Sequence, residues 1–467
     1  MESPVSRDAG DSQVEVCFWT KISDPRLRLP DGSFMIDSGV GRSELSELLN
    51  TLLETESRIS FDFIVEETFL RGTISEYMRQ SGKTSESKLR IEYLRTLGRP
   101  TLRTLDKQKD WIRSLTGGLE TDNPMVAVGF YDGKIRFYDA ASRPTDKSMR
   151  LDEQEKSNGQ AAMEFNVNEL LATGGSTSIF RVQSQQLNDS EYSKVWASTM
   201  CGSIIGLDYS AARRECILRN AKIRASSAPI EALCPVRGCD SIIAAGDANG
   251  NLILFCEDDE DENNEKDDVS KETPGTRNLS CISKIKSHSS NVTDLLSLGD
   301  YLISSSLDGN IKMSRVSVGE VICGWNIKFP TFSLSTQNPM TGHVICTSHD
   351  DGRVRIWDLR AGGTSQVNTS SNKDMNSVPF DRNTRFVHKS RLLAHKEVIP
   401  QAVWNPFSEY MIGSVSHDMD LKILDIRSPN LPLQAARTNS KLLSLCWMNE
   451  HTIYTGGSTG EVIVSSF

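Results

Sequence analysis

A repeated hairpin pattern constrains the fold of this chain more than any other feature of its sequence. In the clearest copy, residues 344–358, an alternating apolar strand leads into Asp351-Gly352 and a second one ends in Trp357-Asp358. An Asp-Gly pair between alternating hydrophobic residues predicts a tight β-hairpin, because both turn positions need a positive φ. Asp351 and Trp357 are six positions apart, and this offset can be sought elsewhere in the chain.

The same offset recurs along the chain, and each copy follows a strand of small and apolar residues. The seven turn positions are 132, 176, 249, 308, 351, 418 and 459. Three of the spacings between them, 44, 43 and 41 residues, match the roughly 40–45 residues of one propeller blade. The longer spacings of 73, 59 and 67 residues predict loop inserts near 188–224, 257–280 and 361–390. The second insert contains the acidic run 257–268, which cannot bury apolar surface.

This pattern resembles the WD-repeat family over roughly Asp110 to Phe467. Trp357-Asp358 is a literal Trp-Asp pair, and His288 and His395 lie where the Gly-His of the family usually lies. The repeats are degenerate, so the assignment depends on the offset and the spacing. The resemblance implies an all-β, seven-bladed WD40 β-propeller.

The polar residues at the predicted turns are candidate site residues by their chemistry alone. They are Asp132, Asn249, Asp308, Asp351 and Asp418. Asp and Asn are common in turns because their side chains bond the local backbone. We therefore interpret all five as structural blade turns, and not as catalytic groups.

Closure of the propeller needs a strand from elsewhere. The last copy ends at Phe467, so no residues follow it to form the outer strand of its blade. An unpaired sheet edge is a liability, and WD propellers usually close with chain that precedes the first blade. We expect part of Arg99 to Asp110 to supply this strand, which makes 96–110 a linker and closing strand and 111–467 the propeller.

Residues 14–95 follow a different pattern. A helix predicted from Ser43 carries leucines at positions i, i+3, i+4, i+7 and i+8, which is typical of an amphipathic helix. Strand-like segments surround it at 14–20, 33–37, 61–65 and 88–94. The order ββαββ predicts an α+β ubiquitin-like domain, preceded by a polar, flexible N-terminus at 1–13.

Three segments of this domain resemble the Notchless-like (NLE) N-terminal domain: Phe61–Val65, Phe69–Tyr77 and Glu92-Tyr93. An NLE domain joined to a WD propeller is similar to the WD-repeat ribosome-biogenesis factors of the pescadillo-containing (PeBoW) complex. The resemblance implies a non-catalytic assembly factor of the large (60S) ribosomal subunit, in the nucleolus and nucleoplasm, that supports 27S pre-rRNA processing. Its implied partners are pescadillo, a second WD-repeat biogenesis factor and the pre-60S particle.

The resemblance also assigns a role to one residue. In this family, an acidic residue between the short helix, predicted here at 74–78, and the last strand reaches the metal-ion-dependent adhesion (MIDAS) domain of an AAA ATPase, and Glu86 is the matching position. Mg²⁺ prefers hard oxygen ligands in octahedral geometry, so a carboxylate from a partner can complete its coordination. Mg²⁺ is expected only at that interface, with no metal bound by this chain alone. Without the resemblance, Glu86 would be interpreted as a solvated surface residue.

Composition and motifs exclude several other functions. The net charge of −10 argues against broad binding to nucleic-acid backbones, although a cluster of basic residues between Arg95 and Arg113 leaves a direct RNA contact open. No P-loop, GxSxG or HExxH motif occurs, so catalysis is not expected. The alternative is a substrate receptor of a cullin-RING ubiquitin ligase, because Trp357-Asp-Leu-Arg360 resembles the WDxR motif of such receptors.

Overall fold

The chain folds into two compact units, Met1–Gly98 and Arg99–Phe467. The computed structural model describes residues 13–467, except for 23, 31, 56, 84–87, 118–124, 140–160, 172–176, 186–191, 211–212, 214, 223, 258–276, 338–342 and 360–386. Across these described ranges, no helix is both long enough and apolar enough to span a membrane.

The N-terminal unit is a five-stranded sheet with two α-helices. Its elements in chain order are β1 (Gln13–Trp19), a 3-10 turn (Pro25–Leu27), β2 (Phe34–Asp37), α1 (Arg42–Leu52), β3 (Phe61–Val65), β4 (Thr68–Phe69), α2 (Ile74–Ser81) and β5 (Leu89–Arg95). The strand order is β2-β1-β5-β3-β4, and β1 and β5 are parallel. A first and a last strand paired in parallel at the centre of the sheet confirm the ubiquitin-like fold.

The core of this unit follows from the alternation of its strands. Val14, Val16 and Phe18 in β1 are buried, and the α1 residues Leu45 and Leu49 pack against the same cluster. The predicted cap of α1 was wrong by two residues. Gly41 is the N-cap, and its N–H donates to the Glu44 carboxylate at 2.8 Å, so that Ser43 lies inside the helix.

The C-terminal unit is built from seven four-stranded antiparallel blades. Blade 1 contains β7 (Ile112–Thr116), β8 (Met125–Phe130), β9 (Lys134–Asp139) and β10 (Met163–Asn166), and a short helix α3 (Val167–Leu171) follows it. Blade 2 contains β11 (Ile179–Gln185), β12 (Ser193–Thr199), β13 (Ile204–Ser210) and β14 (Glu215–Lys222). Blade 3 contains β15 (Ile230–Pro235), β16 (Ile242–Asp247), β17 (Asn251–Glu257) and β18 (Arg277–Lys286). Blade 4 contains β19 (Val292–Leu298), β20 (Tyr301–Ser306), β21 (Asn310–Arg315) and β22 (Glu320–Asn326). Blade 5 contains β23 (Thr331–Thr336), β24 (Val344–His349), β25 (Arg353–Asp358) and β26 (Val387–Leu393). Blade 6 contains β27 (Gln401–Trp404), β28 (Met411–Val415), β29 (Asp420–Asp425) and β30 (Gln434–Arg437). Blade 7 contains β31 (Leu442–Asn449), β32 (Thr452–Gly457) and β33 (Glu461–Ser466), and its fourth strand comes from elsewhere in the chain.

The first strand of each blade lies innermost and contacts the innermost strands of both neighbouring blades, so that β7 meets β31 and the ring closes. The outer strand of blade 7 is β6 (Thr101–Lys107), which pairs antiparallel with β33 from Thr101↔Ser466 to Lys107↔Glu461. This strand comes from the expected segment Arg99 to Asp110. The seven-bladed propeller predicted from the hairpin offsets is confirmed.

Blade 2 differs from the sequence prediction. The assumed hairpin around Ser176 was wrong, because β11 is the innermost strand of this blade and Leu170 lies in α3. The predicted loop insert 188–224 was also wrong, since β12, β13 and β14 lie within it. The true hairpin turns at Gly202, with φ +79°. The turn escaped the pattern because Cys201-Gly202 has no Asp or Asn, and an alternating strand has the same pattern in any position of a blade.

The other two inserts extend into regular strands at the ends that the structure describes. Most of the second insert, 258–276, lies outside the described residues, but Glu257 ends β17 and 277–280 belong to β18. The start of β18 also pairs in parallel with β14, which joins blades 2 and 3 into one sheet. The third insert lies outside the described residues as far as 386, and 387–390 belong to β26.

Candidate partner-binding surfaces

The turns between the second and third strands of the blades lie at one end of the propeller, together with the starts of the innermost strands. We call this end the turn face. In blade 4, the buried His288 ring joins two side chains there: Nε2 lies 2.8 Å from Ser304 Oγ and Nδ1 lies 3.2 Å from Asp308 Oδ2. A Ser-His-Asp order is also that of a hydrolase triad. Ser304 is 0 % exposed, so no substrate can reach its hydroxyl, and the group is a packing element.

Blade 6 repeats this arrangement. His395 Nε2 lies 2.9 Å from Ser414 Oγ, and Nδ1 lies 3.0 Å from Asp418 Oδ1. The Asp418 carboxylate also accepts the backbone N–H groups of Lys396 and Asp420, each at 3.1 Å. Burial would raise the pKa of Asp418, but the hydrogen bonds from His395 and from these backbone groups lower it well below its usual value. The carboxylate therefore stays charged and fixes the turn.

Blades 1 and 5 use arginine where blades 4 and 6 use histidine. Arg136 Nη2 donates to Asp132 at 2.7 Å, and Arg355 donates through both terminal nitrogens to Asp351 at 3.1 and 2.6 Å. The next residue of each turn must be glycine, since a Cβ on Gly352 would lie 2.2 Å from the His395 carbonyl oxygen. The carboxylates of these turn residues therefore bind arginine side chains of their own blades and fix the turns.

Blade 3 assigns the carboxylate role to a residue that the sequence analysis missed. Asp247 is 0 % exposed and accepts the backbone N–H of Asn249 at 3.0 Å and that of Asn251 at 2.8 Å. It also accepts the Ser226 hydroxyl at 2.8 Å. Asn249 occupies the turn but contributes its backbone. The signal for Asp247 was an acidic residue at the end of a buried strand, two positions before the expected turn.

The predicted MIDAS ligand, Glu86, lies outside the described residues. Two ion pairs lie beside its segment on the same unit. Lys83, just after α2, pairs with Glu66, and Lys88, just before β5, pairs with Glu15 at 2.9 Å. The hydrogen bond from Lys83 lowers the pKa of Glu66. The chain is thus tied to the sheet on both sides of residues 84–87.

The turn face also carries an aromatic surface that the sequence analysis did not identify. Trp111 is 52 % exposed and lies edge-on to Tyr131, with ring centroids 5.9 Å apart, and Tyr131 meets Phe180 at 6.3 Å. Arg113 lies over the Phe180 ring at 5.9 Å, and the neighbouring Met200 is 55 % exposed. An exposed tryptophan clustered with half-buried aromatic residues and an arginine is typical of the centre of a protein interface. We call these five residues the aromatic surface.

Comparison with known families agrees with both units. The NLE (NUC135) domain matches residues 14–78, and the WD domain, G-beta repeat, matches residues 279–313. Over these residues the chain contains an NLE domain and a WD repeat. Residues 279–313 run from the outer strand of blade 3 to the third strand of blade 4, so this WD repeat contains the His288 and Asp308 contact described above.

Similarity to individual proteins extends over nearly the whole chain. This chain is 22 % identical to "Ribosome biogenesis protein YTM1" of Saccharomyces cerevisiae over 97 % of both chains, and 22 % identical to "Ribosome biogenesis protein ytm1" of Schizosaccharomyces pombe over 98 % of both. "Ribosome biogenesis protein WDR12 homolog" of Drosophila persimilis is also 22 % identical, over 98 % of this chain and 96 % of that protein.

Within the described part of this WD-repeat chain, no cluster of three or more His, Cys, Asp or Glu side chains could hold a metal ion. The residues behind the ligase-receptor alternative are partly packed inside blade 5. Trp357 Nε1 donates to Thr347 Oγ1 at 2.9 Å, and Leu359 is 2 % exposed. Arg360, the last residue of that motif, lies outside the described residues.

Proposed function

We propose that this chain is a non-catalytic assembly factor of the large (60S) ribosomal subunit, acting in 27S pre-rRNA processing in the nucleolus and nucleoplasm. The observation that carries the proposal is its end-to-end similarity to proteins named as ribosome biogenesis proteins in two yeasts and a fly. Similarity over both units favours a function that needs both the ubiquitin-like domain and the propeller.

In this proposal the propeller is the docking element. Its turn face presents the aromatic surface next to turns that hydrogen bonds hold rigid. Preorganised aromatic side chains lose little entropy on binding, so they contribute strongly to protein interfaces. The expected partners are pescadillo, a second WD-repeat biogenesis factor and the pre-60S particle.

The ubiquitin-like domain is the element by which the factor is removed. Glu86 completes the coordination of Mg²⁺ in the MIDAS domain of an AAA ATPase, and the ATP cycle of that partner supplies the force. The Lys83–Glu66 and Lys88–Glu15 ion pairs support this role, because they connect the chain on each side of Glu86 to a folded sheet that can transmit a pull.

A pull-down from nuclear extract, with and without Mg²⁺, tests the two surfaces separately. Glu86→Ala should abolish Mg²⁺-dependent capture of the MIDAS ATPase and leave capture of pescadillo unchanged. Trp111→Ala should abolish capture of pescadillo and leave Mg²⁺-dependent capture of the MIDAS ATPase unchanged. Glu47→Ala is the control, since Glu47 is an exposed glutamate of the same unit, paired with exposed Arg58 at 3.3 Å.

Two results would contradict the proposal: Mg²⁺-dependent capture that survives Glu86→Ala, and a protein that brings down neither pre-60S particles nor 27S pre-rRNA. The cullin-RING receptor alternative stays a prediction, and the same pull-down tests it. Recovery of a cullin adaptor in place of ribosomal precursors would favour that alternative.

A further inference from the structure

Four cations border the aromatic surface along the turn face. They are Lys109, Arg113, Arg224 and Lys441, and we call them the cationic arc. Arg113 belongs to both groups, because its guanidinium lies over the Phe180 ring at 5.9 Å. The other three side chains are exposed, so a partner that docks on this face can reach them.

Lys441 and Lys109 lie at the hairpin turn of blade 7. The Lys441 carbonyl oxygen accepts the backbone N–H of Ser458 at 2.9 Å, and the Gly460 carbonyl oxygen accepts that of Gln108 at 2.9 Å. The chain enters the aromatic surface two residues after Lys109. The two lysines therefore form one end of the arc.

Arg224 lies at the hairpin turn of blade 2 and forms the other end. Its backbone N–H donates to Ser203 Oγ at 3.1 Å, and the Gly202 carbonyl oxygen accepts the Ser226 N–H at 3.0 Å. Met200 of the aromatic surface belongs to the same turn. The aromatic surface thus lies between cations on both sides.

The charge of the arc is not neutralised by the residues around it. No described carboxylate forms an ion pair with any of the four side chains. The acidic residue of the neighbouring turn, Asp132, already binds Arg136 at 2.7 Å. Asp110 is the single acidic residue in 108–113, 200–203, 224–228 and 458–460. In a chain whose net charge is −10, such a local excess of cations attracts an anionic partner.

The rings between the cations indicate which anion fits. Trp111 is 52 % exposed and meets Tyr131 edge-on, so an indole face is available for stacking. Proteins hold single-stranded nucleic acid with cations that follow the phosphates and with aromatic rings that stack on the bases. Each nucleotide carries both groups, whereas an acidic peptide has no ring for each anionic group. The bases of a double helix are stacked on one another and hidden from such rings, so a single strand fits this surface.

We propose that the cationic arc and the aromatic surface together bind single-stranded RNA, with its phosphates on the arc and a base stacked on Trp111. This assignment rests on the proposed function, in which the pre-60S particle is an expected partner of the turn face. It names RNA as the part of that particle which this face contacts. Pescadillo captured from nuclear extract is then recovered together with the particle.

The test is fluorescence anisotropy with the purified full chain and fluorescein-labelled decauridylate RNA, over a series of KCl concentrations. Trp111→Ala should weaken binding about tenfold at every KCl concentration, because it removes a stacking ring and no charge. Trp111→Phe keeps a ring and should retain most of the affinity. Lys109→Gln and Arg224→Gln should each reduce the slope of log K against log[KCl] by about 0.7, because each removes one phosphate contact. Arg58→Gln changes an exposed arginine of the ubiquitin-like unit and should alter neither the affinity nor the slope.

Several outcomes would overturn the assignment. They are the absence of measurable binding at about 50 mM KCl, and a slope that both Lys109→Gln and Arg224→Gln leave unchanged. Tighter binding of a decaglutamate peptide, with the same sensitivity to these two variants, would assign the arc to an acidic protein segment. Loss of pescadillo capture in Trp111→Ala with unchanged binding of decauridylate would assign the aromatic surface to a protein.

The assignment and the proposed function can fail separately. A chain that does not bind decauridylate but still recovers pre-60S particles from nuclear extract keeps its assembly function and loses the RNA site. Urea denaturation of each variant is measured alongside, and the exposed Lys109 and Arg224 decide the question if Trp111→Ala is unfolded.

Discussion

The two units of this chain are stabilised in different ways. The ubiquitin-like unit has one core cluster, formed by residues from Val14 to Tyr93, and all its strand pairs join parts of the same short stretch. The propeller has several smaller cores, and its ring is closed by pairing Thr101–Lys107 with Glu461–Ser466. The stability of the first unit is therefore local, whereas that of the second depends on contacts between the two ends of its chain.

The units also differ in their titratable groups. All seven histidines of the chain lie in the propeller, from His288 to His451, and the first 98 residues contain none. His288, His349 and His395 are buried within blades. Burial lowers the pKa of His288 and His349, so acidification should destabilise the propeller and spare the ubiquitin-like unit.

Removal of the closing strand should have the largest effect. The fragment 111–467 lacks β6, and the fragment 99–467 retains it. Loss of this strand leaves β33 as an open edge and removes the acceptor Asp106 from the Tyr138 hydroxyl, now bonded at 2.7 Å. We expect a loss of about 4 kcal/mol of unfolding free energy, at up to about 1 kcal/mol per hydrogen bond. Equal urea denaturation midpoints for the two fragments would contradict ring closure.

Asp418→Ala should cause the second-largest loss of unfolding free energy. It leaves the buried His395 ring and two backbone N–H groups without an acceptor, and unsatisfied buried groups cost about 1–3 kcal/mol each. We expect the propeller to lose about 3 kcal/mol. The control in the ubiquitin-like unit, Glu47→Ala, breaks only an exposed ion pair and should cost under about 0.5 kcal/mol. Chemical denaturation of both variants measures the difference, and similar losses would remove the contrast between the units.

Acidification should produce a smaller loss of unfolding free energy, and this loss should be confined to the propeller. Burial, with a contribution from Arg355, lowers the pKa of His349 to about 4. Because the unfolded His349 takes up its proton below about pH 6.5, the unfolded state binds more protons and stability is lost as the pH falls from 6.5 towards 4. The expected loss at pH 5 is about 2 kcal/mol.

Denaturation at pH 7.5 and at pH 5 checks this sign. His349→Gln should reduce the difference between the two pH values, even if it lowers stability at both. Asp418 should not contribute in this window, because its lowered pKa makes its stabilisation disappear only below the ordinary range of a carboxyl group. A fragment of residues 1–98 that lost as much stability between these pH values would refute the histidine explanation.

Parts of the candidate sites could be predicted from the sequence, and parts could not. The turn residues at 132, 308, 351 and 418 were recognisable, because a hairpin requires particular residue types within a few positions. Asp247 was missed since it lies two positions before the expected turn residue Asn249, and blade 2 was missed since its hairpin turns at Cys201-Gly202. The aromatic surface combines residues from four separate segments, and no local pattern joins Trp111 to Phe180.

The sequence by itself determined the two-domain order and the hairpins of six of the seven blades, because alternation and turn chemistry act over a few neighbouring residues. Resemblance added the family and the expectation for Glu86. Only the tertiary structure decided which residues between Arg99 and Asp110 pair with the last strand, and that Ser304, His288 and Asp308 form a packing group. These arrangements arise from packing between residues that are far apart in the chain, and a one-dimensional pattern does not record which distant groups meet or which donors remain unpaired.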